Sequence, residues 1–395
     1  MGKDYEKLAP KYRLLLGPGP VEVASRVLNV MSNPLYGHLD PKFLEITNET
    51  MKLLRYTFQT ENQLTLPMSG TGSAGMETVM VNLLEEGDRA IICVNGVFGE
   101  RMRDVASRCG AEVISVEAPW GKVIDPEDVR RAFKEAPGKV KLVGIVHAET
   151  STGVKQPIEE ISQIVKEHDA LMVVDAVTSL GGVDLKIDEW GIDACYSGSQ
   201  KALSCPPGLS PLTMGVKALE VIDNRKTKVQ SWYLDLSMIK NYWSKERVYH
   251  HTAPINMIYA LREALLMVYE EGLDERFRRH QLNSNAFVAG IEAMGMKMAV
   301  EEKEYRLPTL NAVKIPDEID DYQVRSYLLD KYGIEIGGGL GDFKGKVWRV
   351  GLMGESSKRN NVILLLNALG DALMQQGYKV DFRLAIEAIL DIYDI

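Results

Sequence analysis

Five short apolar runs constrain this chain more than any other feature: AIICV (90–94), EVISV (112–116), KLVGIV (141–146), LMVVD (171–175) and DACYSG (193–198). Their apolar residues are continuous rather than alternating, which marks strands covered on both faces of a sheet. Amphipathic stretches such as EDVRRAFKEA (127–136) and IEEISQIVKEH (158–168) fall between them. Strand–helix alternation of this kind predicts parallel strands joined by helical crossovers. The pattern predicts an N-terminal arm, 1–20, followed by one large α/β domain over 21–254. Beyond YHHTAP (249–254) it changes. A long helical region from Ile255 to Met294 leads into strand-like TLNAVKI (309–315), a helix near 321–333, the strand VWRVG (347–351) and a helix from Asn360 to Gly377. Residues 255–395 therefore read as a linking helix and a smaller α+β domain, with the glycine cluster 336–346 as a loop.

Several functional classes are disfavoured at once. Lys plus Arg number 46 and Asp plus Glu 55 over 395 residues, a net charge of −9. Such a chain has no general attraction for nucleic acid or an anionic membrane. No apolar stretch approaches the roughly 20 residues that cross a bilayer, and the first 20 residues do not resemble a secretory signal. The expected location is the cytoplasm. Cys93, Cys109, Cys195 and Cys205 form no C-x-x-C pair and are expected as buried free thiols. The histidines show no metal-ligand spacing, so no metal is expected.

Two glycine motifs suggest phosphate binding, and both fail as nucleotide signatures. Gly70, Gly72 and Gly75 in SGTGSAGMET form a G-x-G-x-x-G at a helix start. A dinucleotide site also needs an acid at the end of the next strand, and AIICV is followed by Asn95. The cluster GGGLGDFKGKV lacks P-loop spacing, and Val347 stands where Ser or Thr belongs. The first turn can still hold a phosphate on helix-start N–H groups, or be a ligand-free Gly/Ser-rich helix start.

Asp175 ends the very apolar run LMVVD, and Lys201 follows it by 201 − 175 = 26 residues, about one strand–helix–strand unit. Both would reach the edge where open α/β sheets bind ligands. A plain Asp–Lys ion pair is one reading. The other is a lysine made nucleophilic by burial, with an acid and a phosphate-binding turn: the set that pyridoxal phosphate requires.

The segments LLLGPGPVEV, PMSGTGSAGMET, VNGVFGER, HAETSTGV, VVDAVTSLGG, SGSQKALSCPPG, YHHTAP and VWRVGLMG, in this order, together resemble the class V aminotransferases of pyridoxal phosphate fold type I. Within them the alanine–glyoxylate/serine–pyruvate branch is nearest. The resemblance implies a large domain with a mainly parallel seven-stranded sheet plus the smaller C-terminal α+β domain. It implies that Lys201 holds the cofactor aldehyde and shuttles protons, while Asp175 pairs with the pyridine nitrogen. Phe98 would stack on the ring, where mammalian members carry Trp; otherwise it is a core residue. Thr71, Gly72, Ser73 and Gln200 would hold the phosphate, and Thr150 would bond near the ring's phenolic oxygen. Tyr249 and Thr252 would reach the phosphate of a neighbouring subunit, making a homodimer with shared sites, or else form an interdomain turn. Arg349 would fork onto the substrate α-carboxylate, a geometry lysine cannot supply; otherwise it makes a structural salt bridge.

The implied activity is ping-pong transfer of an amino group from alanine or serine to glyoxylate or pyruvate. Ureidoglycine–glyoxylate or pyridoxamine–pyruvate transamination, a lyase or desulfurase, and a non-catalytic protein retaining the fold stand as alternatives. His147 is expected as polar lining, His38 near the substrate mouth, and the basic run RFRRH (276–280) as a solvated helix face.

Overall fold

The computed structural model describes residues 8–394. Its main sheet has seven strands: β1 (Leu64–Ser69), β2 (Arg89–Val94), β3 (Glu112–Glu117), β4 (Val140–Val146), β5 (Leu171–Asp175), β6 (Ala194–Tyr196) and β7 (Leu209–Met214). Their spatial order is β1-β7-β6-β5-β4-β2-β3. Only β7 runs against its neighbours. The sheet is thus mainly parallel, and inner β5 is buried throughout as its continuous apolar run requires; β3, the EVISV run expected to be covered on both faces, is instead a half-exposed edge strand in which only Val116 is buried. The sequence pattern passes over β7, because Pro211 lies inside it and proline argues against an inner strand. Pro211 stands opposite Pro67 of β1, and its carbonyl still accepts a hydrogen bond from Ser197 N–H at 2.7 Å.

The crossover helices start where local chemistry allows. The helix Pro126–Glu135 has proline at its first position, and the Asp125 carboxylate accepts a hydrogen bond from Glu127 N–H at 2.9 Å. Two further helices matter for the site. Helix α1 (Gly72–Leu83) follows β1, and α2 (Val97–Arg108) follows β2. Gly75 lets α1 lie against β7, since a Cβ there would stand 2.0 Å from Ser210 Oγ.

The long helical region is two helices, α3 (Ile255–Glu271) and α4 (Leu273–Ala293). Gly272, at φ +80°, ends the first and precedes the second. A second sheet follows, of β8 (Lys297–Met298), β9 (Leu310–Lys314), β10 (Gly337–Gly338) and β11 (Val347–Gly351), in the order β8-β9-β11-β10. The glycine cluster expected as a loop therefore supplies a short edge strand. A final helix, Phe382–Ile392, lies beyond the last helix read from the sequence.

Two large apolar clusters organise the chain. One runs from Val27 to Leu273 around the main sheet. The other joins Leu14 and Leu16 to Ala286–Ile389. Residues Leu14–Leu15 pair in parallel with Ile334–Glu335, so Leu14–Leu16 are stitched onto the second cluster, while residues 8–12 before them are exposed. Residues 1–7 of the expected arm lie outside the described residues.

Candidate active site

The carboxyl ends of β1, β2, β4, β5 and β6 converge on one edge of the main sheet. Asp175 is the last residue of β5 and is buried. Its Oδ1 accepts from Val177 N–H and its Oδ2 from the Tyr196 hydroxyl, both at 2.8 Å. Burial raises its pKa to about 6, against the pull of those two bonds and of Lys201 and Arg101. Tyr196 was not anticipated as a site residue. Its position at the end of β6, beside β5, was the available signal.

Lys201 follows β6 and is only 8% exposed. Its Nζ donates to the Pro18 carbonyl. Burial first, then Arg349, bring its pKa down to about 8, while Asp175 acts the other way. No ion pair within 4.0 Å joins Lys201 to Asp175 or to any other described carboxylate. The simple Asp–Lys pair is therefore not formed. Gly19 lies against the same lysine: at φ +104°, it would place a Cβ 2.7 Å from Lys201 Cδ and Nζ.

Arg349, in β11, is also 8% exposed. It donates through Nε to the Gly338 carbonyl at 2.7 Å and through Nη1 to the Thr150 carbonyl at 3.4 Å. No described carboxylate pairs with it, so the alternative of a structural salt bridge is not realised. Burial lowers its pKa to about 10, against the opposing effect of Glu149.

Thr71 precedes α1 without capping it, and no acidic residue sits in the first turn. Unfilled helix-start N–H groups are a ready anion site. Gly72 keeps that turn close to Val177, whose Cγ2 would lie 3.1 Å from a Cβ. The Ser73 hydroxyl accepts from Arg101 Nη1 at 3.4 Å, and the Arg101 guanidinium lies over the Phe98 ring at 5.0 Å. Gln200 Oε1 is buried with no partner. Thr150 is buried and shares a 2.9 Å hydrogen bond with the Thr178 hydroxyl. Tyr249 is 55% exposed, with its ring 5.1 Å from that of His38. Thr252 is exposed, and neighbouring His251 shares a 3.0 Å hydrogen bond with the Ser69 hydroxyl at the end of β1.

Lys201, Asp175, Arg349, Thr150 and Gln200 are therefore gathered at one edge, with Phe98 and the 71–73 turn beside them. Tyr249 and Thr252 point to no bonding partner among the described residues. His147 is buried, and its Nδ1 lacks a partner; burial lowers its pKa to about 3, which keeps the ring neutral. RFRRH is not a solvated face. Arg276 is buried and donates to the carbonyls of Gly181 and Ala202, next to Lys201. His280 is buried too, because the helix packs against those loops.

Among the described residues these fit pyridoxal phosphate on three counts: two buried cations with no carboxylate in ion-pair contact, an unsatisfied amide oxygen beside the lysine, and an uncapped helix start.

The class V aminotransferase family model matches residues 26–342. The alanine–glyoxylate aminotransferase of Drosophila melanogaster is 41% identical, over 93% of this chain and 95% of its own. The solved ureidoglycine–glyoxylate aminotransferase of Bacillus subtilis is 42% identical with a TM-score of 0.95, covering 99% of this chain and 100% of that one. The solved alanine–glyoxylate aminotransferase of Nostoc sp. is 48% identical with a TM-score of 0.92, covering 94% and 98%.

Proposed function

The chain belongs to the class V aminotransferases, a pyridoxal-phosphate-dependent family, and we propose that it moves the amino group of alanine or serine to glyoxylate or pyruvate in a ping-pong cycle. The observation that carries this reading is the pair of buried cations, Lys201 after β6 and Arg349 in β11 of the second sheet, that meet near Asp175 with no described carboxylate within 4.0 Å of either. Two anions are called for there, a phosphorylated cofactor and a monocarboxylate substrate.

In this reading Lys201 holds the cofactor's aldehyde carbon, and Asp175 holds a proton at the pyridine nitrogen. Phe98 lies against the ring, and Thr150 reaches its phenolic oxygen. Thr71, Gly72, Ser73 and Gln200 take the phosphate. Bound there, pyridoxal phosphate supplies the electron sink for charge that develops at the amino acid's Cα. Arg349 forks onto the α-carboxylate and orients the Cα–H bond toward Lys201. Once the amino acid's nitrogen had replaced it on the aldehyde carbon, the freed Lys201 Nζ would be the base for the Cα proton; burial lowers its pKa to about 8 in the cofactor-free protein, and a base works best near the operating pH. Lys201 would return the proton to the cofactor carbon, water would release the 2-oxo acid with the amino nitrogen left on the cofactor, and the acceptor would then occupy the same arginine.

The charge balance points to small, uncharged donors. Aspartate or glutamate would bring a second carboxylate into a partly dry site, costing several kcal/mol if unpaired. Of the other nearby cations, Arg276 is paired with Glu271, and Arg101 is engaged with Ser73 and the Phe98 ring. The kcat/KM for alanine or serine with glyoxylate is expected to exceed that for aspartate or glutamate by at least ~100-fold. Comparable values would overturn the single-arginine reading. A half-reaction screen that includes ureidoglycine and pyridoxamine separates the remaining donors. A desulfurase is disfavoured because all four cysteines are buried.

The same reading divides the chain into an arm (1–20), a cofactor-binding domain (21–254) and a C-terminal part (255–395), and makes the enzyme a cytoplasmic homodimer. Supporting the dimer, Trp232, Val248 and Tyr249 are large side chains left exposed around Thr252. Mixing Lys201→Ala chains with Tyr249→Phe/Thr252→Ala chains is expected to restore activity, because each heterodimer regains one intact site. A monomer at micromolar concentration by light scattering would dispose of shared sites. No helix among the described residues is long and apolar enough to cross a membrane.

A further inference from the structure

Glu149 is fully buried, and none of the roles above uses it. Four donors converge on its carboxylate. Oε1 accepts from the Ser151 hydroxyl at 2.5 Å and the Ser151 N–H at 3.1 Å. Oε2 accepts from Phe98 N–H at 3.2 Å and Gly99 N–H at 3.3 Å. The last two are first-turn N–H groups of α2, whose N-cap residue is Gly96. Glycine has no side chain to cap with, so the acid from another loop does so. Ser151 completes the cap by accepting from Val97 N–H at 3.0 Å. The fit leaves no room for another side chain: a Cβ at Gly96 would stand 2.5 Å from Glu149 Cγ and Cδ and from Ser151 Oγ.

The helix held in this way carries Phe98. The loop that holds it carries Thr150, whose carbonyl accepts from Arg349 Nη1. Glu149 partly offsets the effect of burial on Arg349, although burial raises its own pKa to about 7 against its bonds from Ser151 and Gly99. One buried carboxylate thus touches the helix bearing the ring-facing residue and influences the arginine expected to meet substrate.

We propose that Glu149 is a positioning residue of the transamination site: by capping α2 it sets Phe98 against the cofactor ring, and by fixing the loop that carries the Thr150 carbonyl it orients Arg349. This rests on the reading that Phe98 stacks on the ring and Arg349 receives the carboxylate.

The test uses the full-length, cofactor-loaded enzyme. Glu149→Gln keeps the shape but turns an NH2 group toward donors that need an acceptor. Loss of an acceptor that four donors face predicts cofactor binding weaker by about tenfold, with a diminished visible circular dichroism band per bound cofactor and a raised KM for the amino acid. Gly96→Ala keeps Glu149 but displaces its carboxylate, and is expected to diminish the same band; it decides the matter if Glu149→Gln fails to fold. A wild-type band, cofactor affinity and KM in the variant overturn the proposal. So does a lowered melting temperature with a wild-type band and KM, which is the mark of a merely structural acid. Phe98→Leu tests the underlying reading separately. If that variant alone has an altered band, stacking stands and the capping role falls; if Phe98→Leu is unchanged, the stacking reading falls.

Discussion

Replacing Lys201 by alanine is expected to leave a folded protein that binds pyridoxal phosphate non-covalently and transaminates about 10³- to 10⁴-fold more slowly. The side chain is buried and its one hydrogen-bond acceptor is the Pro18 carbonyl. Alanine therefore removes the proton-transferring amine without stranding a buried carboxylate, so the cost falls on chemistry rather than on folding. Borohydride should fix the cofactor to the wild-type chain and not to the variant, as read by mass. A variant turning over at near wild-type rate would show that Lys201 is not the reacting lysine. Cofactor-free protein offers a second readout. Burial lowers the Lys201 pKa from 10.5 to about 8. Over that interval the unfolded chain binds more protons than the folded one, so this group makes stability rise with pH. The wild-type melting temperature, measured relative to Lys201→Ala, should climb between those two values.

Asp175→Asn is expected to keep the cofactor but slow Cα deprotonation by about 10²- to 10³-fold, the scale seen when a preorganised electrostatic partner is lost. Each carboxylate oxygen already has one donor, Val177 N–H on one side and the Tyr196 hydroxyl on the other. Those bonds fix its plane and leave further lone pairs for the pyridine nitrogen. In the cofactor-free protein, burial holds this acid's pKa at about 6. A cationic ring nitrogen beside it would lower that value and keep it ionised. Asparagine cannot hold a proton at that nitrogen, and its amide turns one donor toward a donor. Stopped-flow conversion with alanine measures the step directly. An unchanged rate would make Asp175 only a structural acid.

The site was legible where its information is local. Asp175 and Lys201 close or follow apolar runs, and the 71–73 turn and Arg349 sit in short motifs, so their element and strand end follow from neighbours in sequence. Glu149 was not singled out, although a lone acid in HAETSTGV between buried segments was a visible sign. Arg276 and His280 were misread for the converse reason: a basic run on a helix looks solvated until the loops at Gly181, Ala202 and Gly354 are packed onto it.

The order of apolar and amphipathic segments determined by itself a mainly parallel sheet with covered inner strands, because the periodicity of strands and crossover helices is a short-range property; that the EVISV run would be an exposed edge was decided by strand order. The motifs determined the chemical class in the same way. Tertiary structure alone decided that β7 enters the sheet antiparallel despite Pro211, and that Leu14–Leu16 are stitched to the second apolar cluster. It alone decided that Lys201 and Arg349 lose their solvent without gaining a carboxylate. Strand order and burial depend on contacts between residues as far apart as Thr150 and Arg349. The desolvation that lowers the Lys201 pKa exists only once those distant segments have closed around it.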